Sequence, residues 1–369
     1  MTGCWFVFLF VLVCCLLFFG VYFVVPSFIG FDTYYYLNNI CLGFDLNRDI
    51  VETLIFSALP CNYFVLKLVQ ALMLTITLYF ILKTIKLNYK IDEKIVTLAL
   101  IGLAPICFYF FFKLENDIFA FPLLAIAFYL FNLAKQKNFY KNTALSLVYL
   151  YSAYTVYEFT GYFLLIGATT NPIYLVIAIF SIPTWIGMIN FNFQIAEQLP
   201  LIGLTTIGFF WCFIKWHSKK ETIATILLTA LQGQFAIFAL FTFAQNIGKT
   251  TEWLETKFQT KTVLIPIVIV SVFGLILIST LPLVYYPNQE DLDLIKETVN
   301  EHRFELIIND FELGYIMHGL DYNTPYFSST PTGDPFKETT IPFIAITKTD
   351  LNCSQLKHTK HYKVYKCNQ

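Results

Sequence analysis

Cys4-Trp-Phe-Val-Phe-Leu-Phe-Val-Leu-Val-Cys14-Cys15-Leu-Leu-Phe-Phe-Gly20-Val-Tyr-Phe-Val-Val25 is an unbroken run without a single charge. A helix that crosses the hydrocarbon core of a bilayer needs about 20 predominantly apolar residues, and this stretch supplies them. No Lys or Arg precedes it and no small-residue cleavage signal follows it, so it reads as a retained first membrane helix rather than a removed leader.

Similar runs recur outward from it as far as about residue 286. Of 369 residues, 57% are hydrophobic, 18% aromatic and 13% charged. Soluble domains carry about 25% charged residues, so this chain lacks the charge to cover a water-facing surface. Soluble-enzyme and nucleic-acid-binding readings are thereby excluded. The composition predicts a polytopic α-helical membrane protein embedded in the lipid bilayer of the cell membrane. The second span is expected at Cys61–Leu82, the third at Ile95–Phe112 and the fourth at Ile118–Ala134. The tract from Thr143 to Ile189 fits two crossings, and further spans are expected near Leu199–Trp216, Thr222–Gln245 and Thr262–Tyr286, about nine in all.

Basic residues concentrate in cytoplasmic loops. Residues 83–94 carry Lys83, Lys86, Lys90 and Lys94, and residues 135–141 carry Lys135, Lys137 and Lys141 without an acid. The first loop, 26–60, holds Asp32, Asp45, Asp49 and Glu52 against Arg48 alone. Both basic loops therefore face the cytoplasm, and the acidic loop and the turn Lys113-Leu-Glu115-Asn-Asp117 face outward together. Nine spans put the C-terminal segment outside as well. The loop Lys215-Trp-His-Ser-Lys-Lys220 would then also lie outside, against the charge rule, so the parity of the second half stays open.

Residues 287–369 differ in character, with 12 acids and 8 bases. Residues 292–302 read as a helix, and Phe304-Glu-Leu-Ile-Ile and Ile341-Pro-Phe-Ile-Ala-Ile as buried strands. The chain thus divides into a membrane domain, 1–286, and a small extracytoplasmic α/β domain, 287–369. Nine cysteines show no CxxC and no zinc spacing. An oxidising exterior permits Cys41–Cys61 and Cys353–Cys367 disulfides, the alternative being packed thiols.

Two outer turns carry the candidate chemistry. Gly30-Phe-Asp32-Thr-Tyr34-Tyr35-Tyr36 follows the first helix, and Glu115-Asn-Asp117 joins the third and fourth. Hard carboxylate oxygens from both turns suit Mg²⁺ or Mn²⁺, and such a cation neutralises a phosphate leaving group. The bland alternatives are an interfacial tyrosine belt and an ordinary polar hairpin. Glu158 and Glu197 stand isolated among apolar residues, where a carboxylate at membrane depth is a functional candidate. A guanidinium at Arg48 suits phosphate; a surface ion pair with Asp45 or Asp49 explains it equally.

The order of these features resembles the GT-C superfamily of polyprenyl-phosphate-dependent glycosyltransferases, and within it the catalytic subunit of oligosaccharyltransferase in its archaeal-type form. Gly30-Phe-Asp-Thr-Tyr-Tyr35 is similar to the family's first-loop G-x-D-x-Y-Y signature, and Glu115-Asn-Asp117 to its second-loop acidic pair. Thr160-Gly-Tyr-Phe163 resembles W-G-G-Y-x-F, Gln194-Ile-Ala-Glu197-Gln-Leu-Pro200 resembles S-V-x-E-x-x-P, and Asp310-Phe-Glu312-Leu-Gly-Tyr315 falls where the family has W-W-D-Y-G-Y. The resemblance implies transfer of a sugar or oligosaccharide from a polyprenyl-linked donor to an acceptor, protein included, on the outer face. It implies Asp32 as the catalytic residue and Asp32, Glu115, Asp117 and Glu197 as metal ligands. Tyr34, Tyr35, Arg48, Glu158 and Glu312 would line the substrate. The chain is shorter than family members, lacks both tryptophans of the late motif and has Glu312 where an Asp is expected. A match at Glu197 also needs that residue outside, whereas nine spans place it inside. The contrasting expectation is a non-enzymatic multi-pass transporter or scaffold, which should show related halves or broken helices at mid-membrane; no such repeat is present.

Overall fold

Asn62 starts the longest helix among the described residues: its Oδ1 accepts a hydrogen bond from the Val65 backbone N–H at 3.1 Å, satisfying one of the free donors at a helix N-terminus. The computed structural model describes residues 2–20, 50–89, 116–156, 289–310 and 341–367, with isolated positions between them that include 33, 36, 37, 41, 111, 114 and 326–328. Among these the helices are α1 (Thr2–Phe18), α2 (Ile50–Ser57), α3 (Tyr63–Asn88), α4 (Asp117–Ala134), α5 (Phe139–Val156) and α6 (Gln289–Glu301). The strands are β1 (Ile307–Asn309), β2 (Tyr326–Ser328), β3 (Phe343–Thr347), β4 (Ser354–His358) and β5 (Lys363–Cys367).

The described residues are mostly helical, and two of their helices, α3 and α4, are long and apolar enough to cross a membrane, with mean hydropathies of 2.0 and 1.8. The expected second and fourth spans are thus found as helices, although α3 starts two residues later and continues to Asn88. α1 contributes a shorter apolar stretch, Trp5–Leu17. The expected spans at 95–112, 199–216, 222–245 and 262–286, and the second crossing within 143–189, fall almost wholly outside the described residues.

The outer faces of these helices are apolar. Leu9, Val13 and Leu17 of α1 are exposed at successive four-residue steps, as are Phe64, Leu68 and Leu72 of α3. In water such stripes would be contiguous apolar patches; against lipid tails they are the expected covering.

Contacts divide the chain into two bodies, one comprising Met1–Gly20, Lys67–Phe112 and Asn116–Ser279, the other Val21–Leu66, Lys113–Glu115 and Thr280–Gln369. In the first body α4 and α5 form a helical hairpin. Its short turn uses Asn138 at φ 50°, a left-handed conformation that Asn tolerates well. Asn142 Nδ2 donates back to the Lys137 carbonyl at 2.7 Å, and Ser146 Oγ donates across to Ala127 at 2.8 Å. Phe121, Leu124, Ala125 and Phe128 of α4 are buried. The small residues admit large rings alongside, and Phe111 and Phe241 pack against Phe121 and Phe128 at 5.5 and 5.6 Å. α1 joins this body through Phe8, whose ring meets Tyr79 of α3 edge-on at 5.6 Å.

α3 and α4 run parallel. Gln136 Nε2, just beyond α4, donates to the Leu87 carbonyl at 2.8 Å, satisfying a free acceptor in the last turn of α3. One level up, the rings of Phe80 and Tyr129 lie 5.8 Å apart. The two helices therefore end together, and Lys83 and Lys86 share that end with Lys135 and Lys137.

In the second body the C-terminal residues form a five-stranded sheet of order β2-β1-β3-β5-β4. β1 is parallel to β2 and β3, while β5 is antiparallel to β3 and β4. Ile308, Phe343, Ala345, Tyr365 and Cys367 make its core, with Leu306, Phe336 and Leu351 against it. The expected helix and both expected strands are present in α6, β1 and β3. Every residue of β1 and β3 is buried, as parallel strands require. α6 is fastened to the β4–β5 hairpin by its buried Asp291, which accepts from Thr359 Oγ1 at 2.6 Å and faces His361 Nδ1 at 2.9 Å. Both expected disulfides are formed: Cys353–Cys367 closes the hairpin, and Cys41–Cys61 ties the first loop to the residue before the α3 cap.

Candidate functional site

The first loop and the turn before α4 meet at one hydrogen bond. Thr33, the residue after Asp32, is fully buried, and its Oγ1 accepts from the backbone N–H of Leu114, also fully buried, at 2.9 Å. These residues are 81 positions apart. A buried amide N–H without a partner is rare because its desolvation is expensive, so this bond fixes where the two segments lie. Nearby in the first loop, Tyr36 stacks on Phe56 of α2, ring centroids 4.7 Å apart and planes 18° apart. The Cys41–Cys61 bridge closes the far end of the same loop.

Asp117 is the one candidate acid among the described residues. It opens α4 and is 2% exposed. A carboxylate in the first turn is favoured by the positive end of the helix dipole, which offsets part of the cost of burying it. Pro122, the sixth residue of the same helix, has no N–H to donate to the Ile118 carbonyl, so the helix forgoes one bond there. Asp32, Tyr34, Tyr35, Arg48, Glu115, Glu158, Glu197 and Glu312 lie outside the described residues. Among the described residues no three His, Cys, Asp or Glu side chains gather as a metal-binding group.

Two further polar side chains that pattern reading passed over lie inside α3. Lys67 is 2% exposed and Gln70 is fully buried. The signal was legible: one lysine stands inside an apolar run long enough to span a membrane, and position 70 follows it at helical spacing.

In the C-terminal domain Asp310 opens the segment that resembles the family's late motif. Its carboxylate accepts from Thr347 Oγ1 at 2.8 Å and from the Lys348 backbone N–H at 2.7 Å. It clamps the ends of the parallel strands β1 and β3, a structural task. Ion pairs hold the rim of the sheet. The Lys363 ammonium, followed by the Tyr365 hydroxyl, holds the Asp350 carboxyl below its ordinary value. His302 first, with Lys366, does the same for Glu305, and Lys357 for Glu301. These groups are open to solvent, so the pairs are individually weak.

No family model matches the chain, and no curated protein matches it.

Proposed function

We propose that this protein is a membrane glycosyltransferase of GT-C type that takes a sugar from a polyprenyl-phosphate carrier at the outer face of the membrane. The observation that carries the reading is the 2.9 Å bond between Thr33 and Leu114. Asp32 and Glu115, the acids that match the family pattern, are the chain neighbours of its two ends. A multi-pass scaffold has no need to bring these two acidic segments together; an enzyme that activates an acceptor and releases a phosphate does. The grouping of Val21–Leu66, Lys113–Glu115 and Thr280–Gln369 in one body supports a common outer side for the acidic loops and the C-terminal domain.

In this reading the acceptor hydroxyl or amide attacks the anomeric carbon of the donor sugar. The carbon–oxygen bond to phosphate breaks, the acceptor proton passes to Asp32 as general base, and the lipid phosphate leaves with the bond electrons. By the resemblance, Asp32, Glu115, Asp117 and Glu197 are the residues that would hold a cation, and carboxylate oxygens suit a hard divalent one such as Mg²⁺ or Mn²⁺. When bound, that ion would supply charge neutralisation at the leaving phosphate. Arg48 would add a bidentate donor to the same phosphate. Tyr34 and Tyr35 would border the entrance for the lipid, and Glu158 and Glu312 would meet the sugar or the acceptor.

The test is turnover. Purified protein in phosphatidylcholine nanodiscs is given polyprenyl phosphates carrying radiolabelled hexoses and hexosamines, together with hydroxyl and amide acceptors (saccharides and an asparagine- and threonine-containing peptide), and transfer of label with release of free polyprenyl phosphate is followed. Release above a protein-free control supports the reading. Absence of release with all donors, with or without Mg²⁺ and Mn²⁺, overturns it.

A further inference from the structure

β4 lies at one edge of the C-terminal sheet. Strand edges invite pairing with other chains, and charged side chains or bulges ordinarily guard them. A bulge between Gln355 and Lys357 interrupts the second half of β4, but its start, Ser354 and Gln355, is exposed. The lysine of the strand is engaged elsewhere: Lys357 Nζ donates to Glu301 and Glu297 of α6 at 2.7 and 3.4 Å. Leu356 beside it is 44% exposed.

The residues that lead into this edge alternate. Leu351 and Cys353 pack against the sheet core, while Asn352 and Ser354 are exposed, the period-two pattern of extended chain. Asn352-Cys353-Ser354 is an Asn-x-Ser acceptor pattern for N-linked glycans. Of the 19 asparagines in the sequence, Asn352 alone is followed, past a non-proline residue, by Ser or Thr, and it stands where an acceptor amide can be reached. An exposed bend is satisfied by the asparagine alone; it has no need of an exposed hydroxyl two places on. The Cys353–Cys367 disulfide belongs to the oxidising side of a membrane, the side on which such acceptors are used.

We propose that Asn352 carries an N-linked oligosaccharide, attached before the Cys353–Cys367 disulfide closes. The order follows from the fold. The lone pair of an amide nitrogen is delocalised into its carbonyl, so a transferring enzyme must grip the acceptor together with its neighbours. In the finished domain Cys353 is bonded to Cys367 and Ser354 is paired with Lys366. Two of the three acceptor residues are thus held to β5 and cannot be lifted into another protein. In the transfer, Asn352 Nδ2 attacks the anomeric carbon of a polyprenyl-linked oligosaccharide and forms the Nδ2–C1 bond. The C1–O bond to phosphate breaks, its electrons leave with the lipid phosphate, and an Nδ2 proton passes to a base of the transferring enzyme. Closing the disulfide afterwards passes two protons and two electrons to an external disulfide by exchange. The glycan, bulky and solvated, then stands at the open start of β4 and covers the edge. The inference makes this chain an acceptor and is independent of its own proposed transferase activity.

Full-length protein is purified from membranes of the cells it comes from, reduced, alkylated and cut with trypsin. The peptide Thr349–Lys357 is expected to carry added hexose or hexosamine mass on Asn352. That mass is expected to be lost in Asn352→Gln and in Ser354→Ala, both changes at exposed positions, and kept in Ser354→Thr. The order is read on the wild-type protein alone, by pulse labelling with N-ethylmaleimide present at lysis. Newly made chains that bear the glycan are expected to have Cys353 still reactive, and to lose that reactivity during the chase. A Thr349–Lys357 peptide found only unmodified, sugar that persists in Ser354→Ala, or disulfide-linked chains that gain their sugar during the chase would each overturn the inference.

Discussion

Thr33 and Leu114 are joined across 81 positions of sequence by a buried 2.9 Å hydrogen bond in which the Leu114 N–H donates to the threonine hydroxyl. The bond holds the first loop against the turn that leads into α4. Thr33→Val keeps the shape and removes the acceptor, leaving a buried N–H unsatisfied at a cost of about 1–3 kcal/mol. A lowered unfolding midpoint is expected, with Thr33→Ser close to wild type; an unchanged midpoint in the valine variant would show that the two segments are held by other means.

The disulfides should matter to the second body. Cys353–Cys367 and Cys41–Cys61 close separations of 14 and 20 residues, and loops of this size are worth about 3 kcal/mol on a chain-entropy account. Replacing both tail cysteines with serine should lower the protection of β3–β5 amides against hydrogen exchange. Mass spectrometry of non-reduced peptides should recover both linked pairs, and free thiols at either pair would contradict the arrangement.

Gly248 lies against the C-terminal turn of α3. A Cβ there would fall 2.5 Å from Ile85 Cγ2 and 2.9 Å from Tyr89 Cδ2, closer than packed carbons approach. Gly248→Ala should destabilise the helical body by about 1–3 kcal/mol through overpacking, read as a lower unfolding midpoint in detergent. The double variant with Ile85→Ala should cost less than the sum of the two single changes, since alanine lacks the Cγ2 methyl that the new Cβ meets.

Acid should loosen the rim of the C-terminal sheet. Asp350, Glu305 and Glu301 are each held below their ordinary values by Lys363, His302 and Lys357 respectively. A carboxyl with a lowered folded pKa stabilises above its unfolded value, and that contribution disappears as pH falls through the folded value. Hydrogen exchange of the β4–β5 ladder should therefore quicken as pH drops below the ordinary values of 4.5 and 3.8. The effect should be small, reduced by high salt and diminished by Asp350→Asn. An acid response that ignores salt would point elsewhere.

Element by element, legibility followed the locality of the forces. α4 was readable to within one residue because an apolar run begins at Ile118 and lysine ends it at Lys135. α3 overran its expected end at Leu82 because Lys83 and Lys86 do not stop a helix. The Lys83 ammonium lies over the Tyr79 ring at 5.3 Å, and Thr84 Oγ1 bonds the Phe80 carbonyl at 2.9 Å. α2 was hidden in a loop read as polar, since Ile50–Ser57 is too short for periodicity to mark. The β3 core strand and the hairpin between Cys353 and Cys367 were legible from apolar runs and cysteine spacing. The partnership of Thr33 with Leu114 was not, because nothing local to either residue encodes a contact so distant in sequence. Lys67 was overlooked because hydropathy averages one charge away over a span. Of the candidate site acids, Asp117 alone lies among the described residues, and its burial at a helix start was not expected from a turn read as solvent-facing.

Asp32, the acid beside Thr33, is the proposed general base of sugar transfer. Asp32→Asn changes one atom, removes the charge and leaves the neighbouring Thr33–Leu114 bond in place. The direct measurement is release of polyprenyl phosphate from a polyprenyl-linked sugar, in the presence of the hydroxyl and amide acceptors, by wild-type and Asp32→Asn protein of equal unfolding midpoint. Loss of a general base is worth about 10²–10⁴ in rate, so the variant should release at most about a hundredth as fast. Release by the folded variant at the wild-type rate would contradict the account.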